Sequence, residues 1–180
     1  LAVEALLERD AEKARVVVMR DEQLDELELS IDDLAINLLA LQQPMAKDLR
    51  FITAAMKIGK DLERVGDHAV NIAEELEFIL KAAPFPMLPE LEEMARIANE
   101  MLSDALNAFV LADSRMARQV VHRDDRVDEL HENNFRILLT HMMEDPRKIT
   151  AGMDLFLVSG NIERIADLAT KIAEEVVFFV

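Results

Sequence analysis

The sequence predicts an all-α protein: two tandem antiparallel three-helix bundles, six helices in all, related by a pseudo-twofold, with the first helix of repeat 1 truncated. Three observations carry this prediction. First, 51% of the 180 residues are hydrophobic but only 4% are aromatic, with 4 Gly, 5 Pro and no Cys, Trp or Tyr. Few turn residues and an excess of Ala, Leu, Glu, Met, Arg and Lys favour helices over strands. Second, apolar residues recur at spacings of three and four over long stretches. Third, the chain repeats itself. Glu63–Ile79 overlays Glu163–Phe179 at an offset of 100 with nine identities in 17 positions, and Asp10–Glu28 overlays Asp113–His131 at an offset of 103 with ten in 19. Chance gives about one or two per window when common residues each occur at about 5–10%.

Taken in order, Leu1–Glu8 is what remains of the first helix of repeat 1. Ala11–Leu41 carries Val17, Leu24, Leu27, Ile31, Leu34 and Leu38 at helical spacing, expected inward. Gln42-Gln43-Pro44 breaks it, and Pro44 suits the first turn of the next helix. That helix runs to about Lys81 with Ile52, Ala55, Met56, Leu62, Val65, Ala69, Ile72 and Leu76 inward. Pro84, Pro86 and Pro89 mark a linker over 84–89 between repeat 1 (1–83) and repeat 2 (90–180). Repeat 2 then reads as three helices: Glu90 to about Ala112, Ser114–Met143, and Pro146 to the end. A start at Leu1 and a stop within the pattern Phe178-Phe179-Val180 read as trimmed ends.

Net charge is −16, from 36 acidic and 20 basic residues. Such a surface repels a phosphate backbone and a polybasic-type lipid contact, so neither nucleic acid nor direct membrane binding is expected. Cations and basic protein surfaces are the matching partners. Without Cys there are no disulfides or thiolate metal sites, consistent with a reducing compartment. No apolar run has the length of a membrane span. No nucleophile–base set, Gly-rich phosphate loop or nucleotide fingerprint appears, so no catalytic residue is assigned.

The chemistry lies in paired acids. Asp and Glu four residues apart share a helix face. Four such pairs occupy repeat-equivalent places: Asp21/Asp25 and Glu63/Asp67 in repeat 1, Asp124/Asp128 and Glu163/Asp167 in repeat 2. In so acidic a chain about seven such pairs arise by chance, and an exposed helix tolerates them. These four differ because both repeats keep them while neighbours change, His68 to Leu168 and Asn71 to Lys171 among them. Like charges at this spacing cost roughly 0.2–0.5 kcal/mol per pair. Hard oxygen donors converging from facing helices suit iron, manganese, magnesium or calcium. Glu28 and His131 extend the two stripes at equivalent positions, and an isolated histidine on such a helix is more often a surface residue. Arg64 and Arg164 read as structural partners of the acids, Glu74-Glu75 and Glu174-Glu175 as solvated, and Gly66/Ala166 as a point of close helix approach.

Gln43-Pro44-x-x-x-Asp48-Leu49-Arg50, the run Asp61-Leu62-Glu63-Arg64-Val65-Gly66-Asp67-x-Ala69-x-Asn71-Ile72-Ala73-Glu74, and its echo in repeat 2 resemble the PhoU family of bacterial phosphate regulators. The resemblance covers nearly the whole chain. It implies metal clusters, multinuclear iron or zinc, at the Asp21/Asp25, Glu63/Asp67, Asp124/Asp128 and Glu163/Asp167 motifs. It also implies a non-enzymatic, cytoplasmic regulator at the inner face of the membrane, held there only through partners, and a homodimer. Those partners are the ATPase subunit of the phosphate ABC transporter and a phosphate-sensing histidine kinase, whose starvation response it represses. Repeat 2 lacks the Gln-Pro-x-x-x-Asp-Leu-Arg turn, having Glu144-Asp145-Pro146 instead. The alternative is a di-iron carboxylate oxidase or ferritin-like iron store. That class uses Glu-x-x-His motifs, whereas Gly66 and Ala166 stand three residues after Glu63 and Glu163.

Overall fold

A computed structural model describes residues 1–82, 84–86 and 88–180. Ala83, the expected last residue of repeat 1, and Met87, within the expected linker, lie outside the described residues. Every element among the described residues is helical: α1 (Ala2–Glu8), α2 (Ala11–Gln42), α3 (Ala46–Lys81), α4 (Pro89–Leu111), α5 (Ser114–Val121), α6 (Asp124–Glu144), a short 3-10 turn (Pro146–Lys148) and α7 (Ile149–Phe179). With α5 and α6 counted as two halves of one helix, these are the six helices of two three-helix bundles. None of the described helices is long and apolar enough to cross a membrane.

The duplication is visible in the caps. Asp10 accepts hydrogen bonds from the N–H groups of Glu12 (2.9 Å) and Lys13 (3.1 Å). Its counterpart Asp113 accepts from Arg115 (2.9 Å) and Met116 (3.0 Å). Each satisfies two of the N–H groups that a helix start leaves without an acceptor. The preceding residues, Arg9 (φ 54°) and Ala112 (φ 51°), both turn through the left-handed region. That turn lets the next N–H reach back to Ala5 O and Ala108 O, at 2.8 and 2.9 Å.

The two halves meet where α3 packs on α7, and the contact is reciprocal. Asp61 faces Lys171, close enough for its charge to act on the carboxyl. The repeat-equivalent pair is Asn161 and Asn71, bonded at 3.3 Å. Asn161 also binds His68 Nδ1 at 2.9 Å. Residues 61 and 71 thus exchange roles with 161 and 171, as a pseudo-twofold requires. Lys57 bridges to Glu175 at 2.8 Å. At one end Phe51 stacks on Phe109 (centroids 5.2 Å), and Phe179 meets both rings edge-on.

Three expectations change. Leu27, Leu34 and Leu38, expected inward, are 58%, 62% and 38% exposed. Only Ala14, Val17 and Ala35 of α2 are buried, because α2 has α3 along its length and the seven-residue α1 at one end. The expected Ser114–Met143 helix is interrupted at His122-Arg123, where Arg123 is tied to Asp104 of α4 at 2.5 Å. Pro44 precedes the N-cap Met45 instead of entering the first turn of α3, whereas Pro89 does open α4.

Candidate metal-binding patches

In repeat 1, α2 presents Asp21 and Asp25 one turn apart, and α3 presents Glu63 and Asp67. The helices approach closely at Gly66. A Cβ there would lie 2.6 Å from Leu24 Cδ1 and 3.0 Å from Asp21 Oδ1, so a larger residue would make the Leu24 and Asp21 side chains shift. The four acids act on one another electrostatically. Burial raises the Asp21 carboxyl above its ordinary value, and the charges of Asp25 and Asp67 raise it further. Glu63 is raised by burial, then by Asp67, Asp25, Glu28 and Asp21. An acid on α3 that senses three acids on α2 has them for neighbours.

Repeat 2 builds the same patch from α6 and α7. Burial raises Asp124, followed by Asp128, Asp167 and Glu163. Asp128 is raised by burial, then by Asp167 and Asp125, with His131 opposing. Glu163 is raised by burial and Asp167, while Arg164 and His131 pull it down. Ala166, fully buried, takes the place of Gly66. The eight carboxylates thus lie as two sets of four, one on α2 and α3 and one on α6 and α7, each near enough for electrostatic influence within the set.

The arginines differ between the two. Arg164 bridges within its patch, 3.5 Å from Glu163 and 3.3 Å from Asp167. Arg64 instead pairs with Asp61 at 3.8 Å, so repeat 1 has the less neutralised patch.

The donor set fits a hard or borderline divalent cation: hard carboxylate oxygens on facing helices, whose mutual repulsion a cation would relieve. Among the described residues, no three His, Asp or Glu side chains are already set as a cage for one ion. Each patch is an open face whose acids would swing together around a cation.

Several polar groups carried no signal in a single helix pattern. Glu75 and Glu175, read as solvated, are half-buried along the α3–α7 contact. Glu75 is raised by burial and by the charge of Asp154, and Glu175 holds Lys57. Buried beneath His131 lie Asn134 and Ser159, both fully inaccessible. Their repeat 1 counterparts are Ile31 and Gly59, which also touch: a Cβ on Gly59 would meet Ile31 Cδ1 at 3.4 Å. That exchange of an apolar pair for a polar one was readable from the repeat alignment.

The PhoU domain family matches residues 1–76 and 91–176, one stretch in each repeat. The chain belongs to the PhoU family. A phosphate-specific transport system accessory protein PhoU homolog of Caulobacter vibrioides is 44% identical over 177 residues, spanning 98% of this chain and 77% of that protein. The crystal structure of PhoU from Pseudomonas aeruginosa superposes with a TM-score of 0.95 at 35% identity, covering 99% of this chain and 86% of that one. A phosphate transport system regulatory PhoU from Streptococcus pneumoniae gives 0.90 at 29%, covering 99% and 84%. The PhoU relatives are named as accessory and regulatory proteins, and both solved structures share the helical architecture built here from α1–α7.

Proposed function

We propose that this PhoU-family chain is a non-enzymatic regulator of phosphate uptake that binds metal through its two carboxylate patches. In this reading it couples the ATPase subunit of a phosphate ABC transporter to a phosphate-sensing histidine kinase at the inner face of the cytoplasmic membrane, and so represses the starvation response. The observation that carries the metal reading is the placement of Asp21, Asp25, Glu63 and Asp67, and again of Asp124, Asp128, Glu163 and Asp167, on facing helices, where burial and then neighbouring acids raise Asp21, Glu63, Asp124, Asp128 and Glu163. A surface with no ligand to hold gains nothing from placing like charges together on facing helices. Iron or zinc, supplied to these residues, would cancel the repulsion and draw the facing helices together.

The transport reading is supported by the likeness, over 98% of this chain and 77% of the relative, to a protein named for phosphate transport. Residues 1–83 and 90–180 serve as the two equivalent units and 84–89 as their tether.

Metal analysis of the purified protein beside an Asp67→Ala/Asp167→Ala variant tests the sites. The variant should retain a small fraction of the wild-type metal, and equal content in the two would sink the site assignment. Deleting the gene should switch on phosphate-starvation genes at high phosphate, and unchanged expression would refute the regulatory role.

A further inference from the structure

The two patches differ at one donor position. Three residues after Asp25 stands Glu28, and three residues after Asp128 stands His131. His131 is held by a structure that repeat 1 does not have. Its Nδ1 lies 2.8 Å from Ser159 Oγ, and its ring stacks on Phe156 at 5.3 Å and 23°.

Ser159 is oriented in turn. Asn134 Nδ2 donates to its oxygen at 3.3 Å, and Met94 Sδ lies 3.5 Å from the hydroxyl as an acceptor beside the imidazole. When Nε2 is the ligating atom, Nδ1 carries the ring proton and donates it to Ser159 Oγ, whose own proton turns to Met94 Sδ. Among the described residues Nε2 has no hydrogen-bond partner, and the ring is near enough to Asp128 and Glu163 for its charge to act on both.

Burying Asn134 and Ser159 is costly, since the Oδ1 of Asn134 is buried without any partner. Repeat 1 fills the same space with Ile31 and Gly59 at no such cost. The polar pair does one thing its apolar counterpart cannot, which is to hold the imidazole above it through a hydrogen bond at Nδ1. A buried partner for the non-ligating nitrogen is how proteins prepare a histidine for a metal.

We propose that His131 is a metal ligand through Nε2, making the repeat 2 patch a mixed nitrogen–oxygen site for a zinc-class transition ion. The repeat 1 patch, with Glu28 at the same position, is an all-oxygen site for harder ions such as manganese or magnesium. This rests on the metal-binding reading above and sharpens it from two equivalent sites to two sites of different selectivity.

The test uses the whole chain stripped of metal and titrated by equilibrium dialysis with Zn2+ and, separately, Mn2+. His131→Glu should weaken the tighter Zn2+ site at least tenfold and leave Mn2+ binding within about threefold. Ser159→Gly, the repeat 1 residue at that place, should weaken Zn2+ by about tenfold, the low end for an outer partner. Glu28→His should strengthen Zn2+ binding at repeat 1, a gain that no loss of folding can imitate. In the histidine side-chain 15N spectrum, the His131 Nε2 resonance should move on Zn2+ addition.

If His131→Glu keeps wild-type Zn2+ affinity, or Nε2 does not move, while Asp128→Ala/Asp167→Ala still removes the tighter Zn2+ site, this inference is overturned and the repeat 2 carboxylate site stands. If the aspartate variant also binds Zn2+ normally, the metal reading of the repeat 2 patch falls with it.

Discussion

Leu27 and Leu130 occupy the same place in the two repeats, yet Leu27 is 58% exposed and Leu130 is 1% exposed. The local sequences around them are among the most similar in the chain, so the difference comes from the third helix. In repeat 2, α4 has 23 residues and packs along α5, α6 and α7. In repeat 1, α1 has seven and reaches one end of α2. Helical periodicity marks the face of a helix that can be buried. Whether it is buried depends on an element elsewhere in the chain.

The largest test of that comparison is a pair of truncations. Leu130→Ala should cost about 2–5 kcal/mol, the range for deleting a buried leucine side chain. In the 180-residue chain by itself, where Leu27 is 58% exposed, Leu27→Ala should cost less than about 1 kcal/mol. Equal losses of denaturation midpoint in urea would show that α2 is covered as α5 and α6 are.

A middle-sized test uses the paired turns. Ala112 adopts φ 51° with no other duty, whereas Arg9, at φ 54°, also donates from Nη2 to Phe85 O at 2.7 Å. Ala112→Gly should raise stability by about 1 kcal/mol by relieving the left-handed strain. Arg9→Gly should gain less or lose, because the bond to the linker goes with the side chain. Thermal midpoints of the two variants check this directly.

The smallest effects separate the patches. Asp21 lies mid-helix in α2, whereas Asp124 lies in the first turn of α6. A helix start favours negative charge by about 0.3–1 kcal/mol. Asp21→Asn should therefore raise the thermal midpoint of the metal-free protein, by relief of about 0.2–0.5 kcal/mol per like-charge pair. Asp124→Asn should leave it unchanged or lower it.

The pH dependence has the same origin. Asp21, Glu63, Asp124, Asp128 and Glu163 are all raised on folding, so between the ordinary and the raised values the folded state holds more protons than the unfolded. Their contribution to stability then falls as pH rises, starting from 3.8 for Asp and 4.5 for Glu. A divalent cation should flatten that fall in thermal scans run with and without chelator.

What the sequence disclosed follows the same logic. The duplication, the helix starts just after Asp10 and Asp113 and the Ile52, Ile72 and Leu76 face of α3 rest on local rules, and each appears in the structure. The four acid pairs lie on facing helices because consecutive helices pack side by side, α2 on α3 and α6 on α7. The break at His122-Arg123 was hidden because His and Arg are unremarkable within a helix. It depends on Asp104, 19 residues upstream in α4, and the position equivalent to Asp104 is Leu1. Glu75 and Glu175 were misjudged because their neighbours, Asp154 and Lys57, belong to the other repeat. Ser159 and Asn134 were visible as departures from Gly59 and Ile31, but only their contact reveals that they act together.

The α3–α7 contact has a consequence for how the molecule meets others. Helices of 36 and 31 residues, about 54 and 46 Å long at 1.5 Å per residue, run past each other with no loop between Glu63 and the residues gripping α7, or between Glu163 and those gripping α3. The patches are marks on two joined beams. The molecule is therefore a ruler, presenting two charged faces at one spacing. A partner whose basic groups match that spacing is held twice and gains the effective concentration of the second contact, and a partner with a different spacing is held once.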